Sequence, residues 1–208
     1  SGKLQTLCYK ADIEAALRTK GFAGFQLLDL HDFPGQGTAL VGVLDAFWDE
    51  KGYVSPEEFK SFSGRTVPLA RLEQRTFLNT DTLSASVEIA HFGANDLTDI
   101  TPTWELRDSN GSIYAQGSLD NTDIPIGNGT ILGAINIPLD TIKAAKQLNL
   151  QVAVDGFKNA WDVWVYPSKK EEINTDLRVV TKLDAGTINY LSNGGKVLLN
   201  ADKGALAA

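Results

Sequence analysis

Three textures of apolar and polar positions succeed one another along this chain. Over residues 12–20, Ile13, Ala16 and Leu17 recur at helical spacing and Gly21 follows, which predicts an amphipathic helix. Residues 25–30 form a short apolar run that reads as a buried strand, and Asp29, His31, Asp32 and Gln36 crowd its C-terminal end around Phe33, Pro34, Gly35 and Gly37. Polar side chains gathered at a strand's C-terminal end point to a site. Thr38 then suits the cap of a second helix, in which Leu40, Val41, Leu44, Phe47 and Trp48 form a broad apolar face that Gly52 ends. Ser55, Pro56, Glu57 and Glu58 supply a cap, a first-turn proline and acids at the positive end of a third helix. Helix, strand, helix, short helix suits the last unit of a β/α barrel or the edge of an open α/β sheet.

From about residue 65 the pattern changes to short β-branched and aromatic runs broken by Gly, Asn and Asp. Seven strands are predicted, at 67–77, 84–92, 101–107, 112–117, 129–137, 149–154 and 160–166. Val87, Ile89 and His91 alternate with Glu88, Ala90 and Phe92, so one face of that strand should be the more apolar. Asn110 and Gly111 predict a hairpin turn, and 139–147 has a helical composition suited to a crossing between sheets. Seven short strands with Trp104, Trp161 and Trp164 available for a core imply an Ig-like β-sandwich without a disulfide. Beyond a charged linker the pattern reverts to α/β: a strand at 177–181, a helix at 185–191 stopped by Asn193, Gly194 and Gly195, and a strand at 196–200. Such a unit cannot cover both faces of its own sheet, so it reads as the start of a further α/β domain. The expected fold is mainly β with α/β flanks, partitioned as 1–64, 65–167 and 168–208.

Composition narrows the function classes. Net charge is −7 with the 19 Lys and Arg scattered, which argues against nucleic acid as a partner. Cys8 is the sole cysteine, so neither an intrachain disulfide nor a multi-cysteine metal site is available, and it reads as a small buried hydrophobe. His31 with Asp32 is too little for a metal centre, and residues 33–37 lack the Gly-Lys-Ser/Thr ending of a phosphate loop; no cofactor is expected. No apolar run approaches the ~20 residues that span a bilayer. The chain has no methionine and starts Ser-Gly ahead of a helix, which fits a processed or excised segment.

FQLLDLHDFPGQGTALVGVLDAFWDEKG, residues 25–52, resembles the end of the catalytic barrel in large β-galactosidase-like glycoside hydrolases similar to glycoside hydrolase family two of Bacteroides-type bacteria. YKADIEAALRT, residues 9–19, resembles the helix before the eighth barrel strand. WDVWVYP, residues 161–167, resembles the closing strand of the Ig-like domain that follows the barrel. Residues 177–200 are similar in general pattern to a flavodoxin-like or amidotransferase-like α/β domain. The resemblance implies a parent that hydrolyses β-glycosides with retention, using two glutamates about 5 Å apart. It places both on earlier barrel strands, upstream of Ser1, so no catalytic residue is expected in this chain and the isolated piece should be inactive. The sandwich would brace the barrel. His31, Asp32, Asp29 and Gln36 would then stand at the barrel mouth and contact substrate, unless Asp32 and Gln36 only satisfy the backbone of a turn. Partners implied are carbohydrate, through the parent, and other domains of the same parent chain; the parent would be periplasmic or secreted. Two alternatives stand beside this. The sandwich could itself bind carbohydrate by stacking on Trp161 or Trp164, which three residues apart on one strand must face opposite ways. It could also be an interaction module without sugar binding.

Overall fold

A computed structural model describes residues 2–22, 24–28, 30–35, 37, 40–168 and 177–202. The chain divides into two compact units, Ser1–Ser168 and Lys169–Ala208. The first holds helices α1 (Gly2–Arg18) and α2 (Pro56–Ser63) and strands β1 (Thr66–Leu72), β2 (Thr76–Leu78), β3 (Thr82–His91), β4 (Leu97–Ile100), β5 (Thr103–Arg107), β6 (Ile113–Ser118), β7 (Thr122–Ile124), β8 (Gly127–Pro138), β9 (Lys146–Val154) and β10 (Phe157–Tyr166). The second holds β11 (Leu177–Val180), α3 (Ala185–Ser192) and β12 (Lys196–Leu199), with the two strands paired in parallel.

The β region is a sandwich. A three-stranded sheet, β1-β3-β8, faces a five-stranded sheet, β2-β10-β9-β5-β6, and β4 pairs with β7 beside them. Period-two alternation fills the space between: Leu83, Val87 and Ile89 from β3 and Ile135 and Ile137 from β8 meet Leu106, Leu148, Leu150, Val152, Trp161, Val163 and Val165. Each fully buried side chain of this size contributes about 1.5–3 kcal/mol. The β9–β10 hairpin turns on Asp155 and Gly156, both at positive φ (45° and 81°), as a two-residue connection between twisted strands requires.

The outer face of the three-stranded sheet is also covered. Ile13 and Leu17 of α1 and Phe62 of α2 pack with Val67, Leu69 and Ala90 into a second core. Glu88, Ala90 and His91 are buried along with Val87 and Ile89, so the C-terminal half of β3 is covered on both faces, while its first half keeps the half-exposed alternation, with Thr82, Ser84 and Ser86 outward. His91 sits between Thr66 Oγ1, 2.7 Å from Nδ1, and the Asn95 carbonyl, 2.8 Å from Nε2. Asn128 of β8 holds the C-terminus of α1, its Nδ2 donating to the carbonyls of Leu17 and Thr19, 2.9 Å each. Ser55 caps α2 as its sequence implies, accepting from the Glu58 N–H at 3.1 Å.

Five expectations need correction. The predicted strand at 25–30 and helix at 38–48 are absent among the described residues, which form loops with isolated bridges from Leu44 to His31 and to Glu50. An amphipathic helix draws its stability from the surface it packs on, and here Leu40, Phe47 and Trp48 face solvent. Asp45 also accepts from the N–H groups of Phe47 and Asp49 at 2.8 and 2.9 Å, a local turn that competes with helix, and Trp48 has a φ of 71°. Thr38, the expected cap, lies outside the described residues. Residues 139–145 make one turn instead of a helix and 146–147 already belong to β9, because Leu139 and Ile142 plug the sandwich and Asn79 Nδ2 donates to the Ile142 carbonyl at 2.9 Å. The strand predicted at 67–77 breaks into β1 and β2, which join different sheets. Cys8 is exposed, not buried.

Candidate functional site

Residues 30–53 carry the cluster that the sequence singles out. The His31–Leu44 bridge is held by the Asp32 N–H donating to the Leu44 carbonyl and the Val43 N–H donating to the Leu30 carbonyl, 3.0 Å each. The Asp32 carboxylate is buried and accepts from Lys51 Nζ at 2.6 Å and from the Gly42 N–H at 2.9 Å. The Lys51 hydrogen bond, with help from the Gly42 N–H, holds its carboxyl below the ordinary aspartate value. The Gly42 carbonyl in turn accepts from Lys51 Nζ (2.9 Å) and Tyr53 Oη (2.8 Å). Gly42 is required here: a Cβ would lie 2.3 Å from the His31 carbonyl carbon. The His31 ring packs against Trp48, centroids 4.3 Å apart and tilted by 58°. His31 and Asp32 are thus brought together, with Asp32 spent on fastening its own loop. Asp29 and Gln36 lie outside the described residues.

The two closing-strand tryptophans do face opposite ways. Trp164 is 37% exposed, whereas Trp161 is 1% exposed and has no ring face left for a sugar. Its indole N–H instead donates to Glu14 of α1, 3.1 and 3.0 Å from the two carboxylate oxygens. Glu14, 2% exposed, also meets Lys10 Nζ at 2.8 Å, Arg18 Nη2 at 2.7 Å and Asn159 Nδ2 at 2.9 Å. Burial alone would raise its pKa; the Lys10 ammonium, the Trp161 N–H and Arg18 outweigh that and hold it below the ordinary value. Lys10, half-buried against Trp161 and Phe62 with ring centroids 5.1 and 5.4 Å away, is shifted down by desolvation despite Glu14. Arg18 extends the network by donating to the Ala70 carbonyl at 2.9 Å and lying 3.8 Å from Glu88, which Arg71 approaches at 2.7 Å. Both Glu14 oxygens are engaged, so this carboxylate docks α1 onto the sandwich and has no oxygen free for a substrate. Lys10, Glu14 and Arg18 fall at i, i+4 and i+8 in the sequence, a spacing that puts them on one helix face and was the signal available.

Among the described residues no group of three or more His, Cys, Asp or Glu is arranged to hold a metal ion, and no helix is long and apolar enough to cross a membrane.

A family model described as a domain of unknown function, DUF8488, matches residues 81–167. No curated protein matches the sequence. Among solved structures the chain is similar to a β-glucuronidase from glycoside hydrolase family 2, at 16% identity over 48% of this chain and 11% of that one, with a TM-score of 0.32. It is also similar to the CARDB domain of the PF1109 protein from Pyrococcus furiosus, in complex with di-metal ions: 10% identity, 50% of this chain, 94% of that one, TM-score 0.37. The C-terminal domain of wzt matches at 8% identity over 54% of this chain and 78% of that one, TM-score 0.36. No residue role transfers across likenesses of this size.

Proposed function

We propose that this chain is the non-catalytic C-terminal portion of a retaining β-glycoside hydrolase, in which the sandwich and its two helices brace the catalytic barrel. The observation that supports the reading is the set of exposed apolar side chains among the described residues of 25–48. Phe25, Leu28, Leu40, Phe47 and Trp48 are 42, 78, 64, 84 and 61% exposed. An exposed apolar group of this extent, on a segment tied to α1 by Gln5 and Tyr9 bonded to the Val41 carbonyl, suits burial against further protein. In the family that residues 25–52 resemble, this segment closes the barrel, and its neighbours there would supply the cover. His31, Asp32, Asp29 and Gln36 would stand at the barrel mouth, while the two working glutamates would come from earlier strands. The parent would act in the periplasm or outside a bacterial cell.

Assay of the isolated chain on p-nitrophenyl β-glycosides tests the non-catalytic assignment. The expected result is no turnover above buffer. Robust, saturable hydrolysis would overturn it.

A further inference from the structure

The outward face of the five-stranded sheet is a built surface that the barrel-end segment does not use and that α1 and α2 border only along β10, near Ala160, Asp162 and Trp164. Strand register sets its side chains in rows: Glu105 lies opposite Gln116 on one side and Gln151 on the other, and Arg107 opposite Asn149, which is opposite Asp162. These planar groups hold one another in place. Arg107 donates to Gln151 Oε1 at 2.7 Å and pairs with Glu105 at 3.0 Å, Gln151 Nε2 donates to Glu105 at 3.2 Å, and Asn149 Nδ2 donates to Asp162 at 2.9 Å. Two depressions lie over the rows, about 560 Å³ beside Glu105, Gln116 and Gln151 and about 460 Å³ beside Arg107, Asn149 and Asp162.

One aromatic pair flanks the polar rows. Trp164 and Tyr166 are two residues apart on β10, so both point outward on the same side as Asp162, and they are 37 and 45% exposed. Charges of both signs alternate on the face: Glu105 and Asp162 stand beside Arg107 and Lys158, Glu105 and Arg107 are already paired to each other, and Arg75 at the edge donates to the Asp162 carbonyl at 3.3 Å. With opposite charges interspersed the surface has little net field to attract an ion, and its apolar area centres on the Trp164 and Tyr166 rings, with Leu78 beside Tyr166 and the small side chains of Ala153 and Ala160. It fits a ligand that is uncharged, dense in hydroxyls on its edges and apolar on its flat faces. Fixed amide, carboxylate and guanidinium planes donate to and accept from neighbouring hydroxyls in pairs, and the aromatic faces take the C–H faces of the rings.

We infer that the outward face of β5, β9 and β10 is a binding surface for a neutral oligosaccharide, with Trp164 and Tyr166 as the stacking platform and Glu105, Arg107, Asn149 and Gln151 as the hydrogen-bonding floor. This site is separate from the barrel-end segment and does not depend on the chain's belonging to a hydrolase. The test is amide and indole NMR of the full chain titrated with the hexaoses of cellulose, xylan, mannan and β-1,3-glucan, with hexagalacturonate as an anionic control. The expected result is saturable shifts from at least one neutral hexaose, confined to β5, β9 and β10 and including the Trp164 indole. W164A and Q151A should each weaken that binding at least about tenfold while their amide spectra away from the face stay unchanged. Absence of saturable shifts with every neutral hexaose, binding by hexagalacturonate alone, shifts elsewhere, or wild-type affinity in either variant overturns the inference. Because the titration reads no hydrolysis, its failure would leave the outcome of the chromogenic assay unaffected.

Discussion

Removing the Glu14 carboxylate should unseat α1 from the sandwich. In Glu14→Ala the Trp161 indole N–H loses its acceptor, and Lys10 and Arg18 lose the charge between them. An orphaned buried donor costs about 1–3 kcal/mol, and breaking a buried ion pair by deleting one member costs about 3–5 kcal/mol. These overlap, and Arg18 keeps the Ala70 carbonyl, so the expected loss is about 3–5 kcal/mol for Ser1–Ser168. With an m-value near the top of the usual range, about 2–3 kcal/mol/M, the urea midpoint by tryptophan fluorescence should fall by roughly 1–2.5 M at pH 7. Glu14→Gln should lose less, since it keeps an acceptor for Trp161. The pH dependence carries a definite sign. Glu14 has a folded pKa below its unfolded value of 4.5, so its contribution is complete above that pH and is lost as pH falls through the folded pKa. Wild type and Glu14→Gln should therefore converge in acid. Lys10 runs the other way: its depressed pKa means that its charge costs stability at neutral pH, a cost relieved as pH rises through the folded pKa toward 10.5. A loss below about 1 kcal/mol in Glu14→Ala, or a wild-type to Glu14→Gln gap unchanged in acid, would refute the docking role.

Three further outcomes are expected. Leu150→Ala, at a fully buried position between the sheets, should cost about 2–5 kcal/mol by urea denaturation, whereas a change under about 1 kcal/mol would contradict the sandwich core. Gly42→Ala should force the 31–53 loop open, accelerating hydrogen exchange of the Asp32 and Val43 amides by roughly tenfold or more while β9 and β10 amides keep their protection. Ser55→Ala should cost about 1 kcal/mol through loss of the α2 cap, read as a shift in thermal midpoint of roughly 2–4 °C.

The sandwich is legible in the sequence because β9 and β10 are plain period-two strands, apolar at Leu148, Leu150, Val152 and at Trp161, Val163, Val165. Alternation reports how many faces are covered only when the cover is not another element of the chain, and the C-terminal half of β3 misleads because the helices cover its second face there. β4 and β7 leave no readable pattern, being three or four residues long and set among Asp and Asn. The strand and helix expected over 25–48 follow from a true apolar periodicity; periodicity states which side chains want burial, not which surface buries them. Of the site, His31 and Asp32 are legible as neighbours, but the Lys51 partner comes from 19 residues on and carries no local signal. The opposite facing of Trp161 and Trp164 is legible from their spacing of three, and the residue that shares a face with Trp164 is Tyr166, two positions on.

Reading the native gene upstream of the codon for Ser1 tests the central claim most directly. The bracing role predicts several hundred residues in frame that carry earlier barrel strands, two of them ending in glutamate. A start codon close to Ser1, or an unrelated domain in place of the barrel, would contradict it.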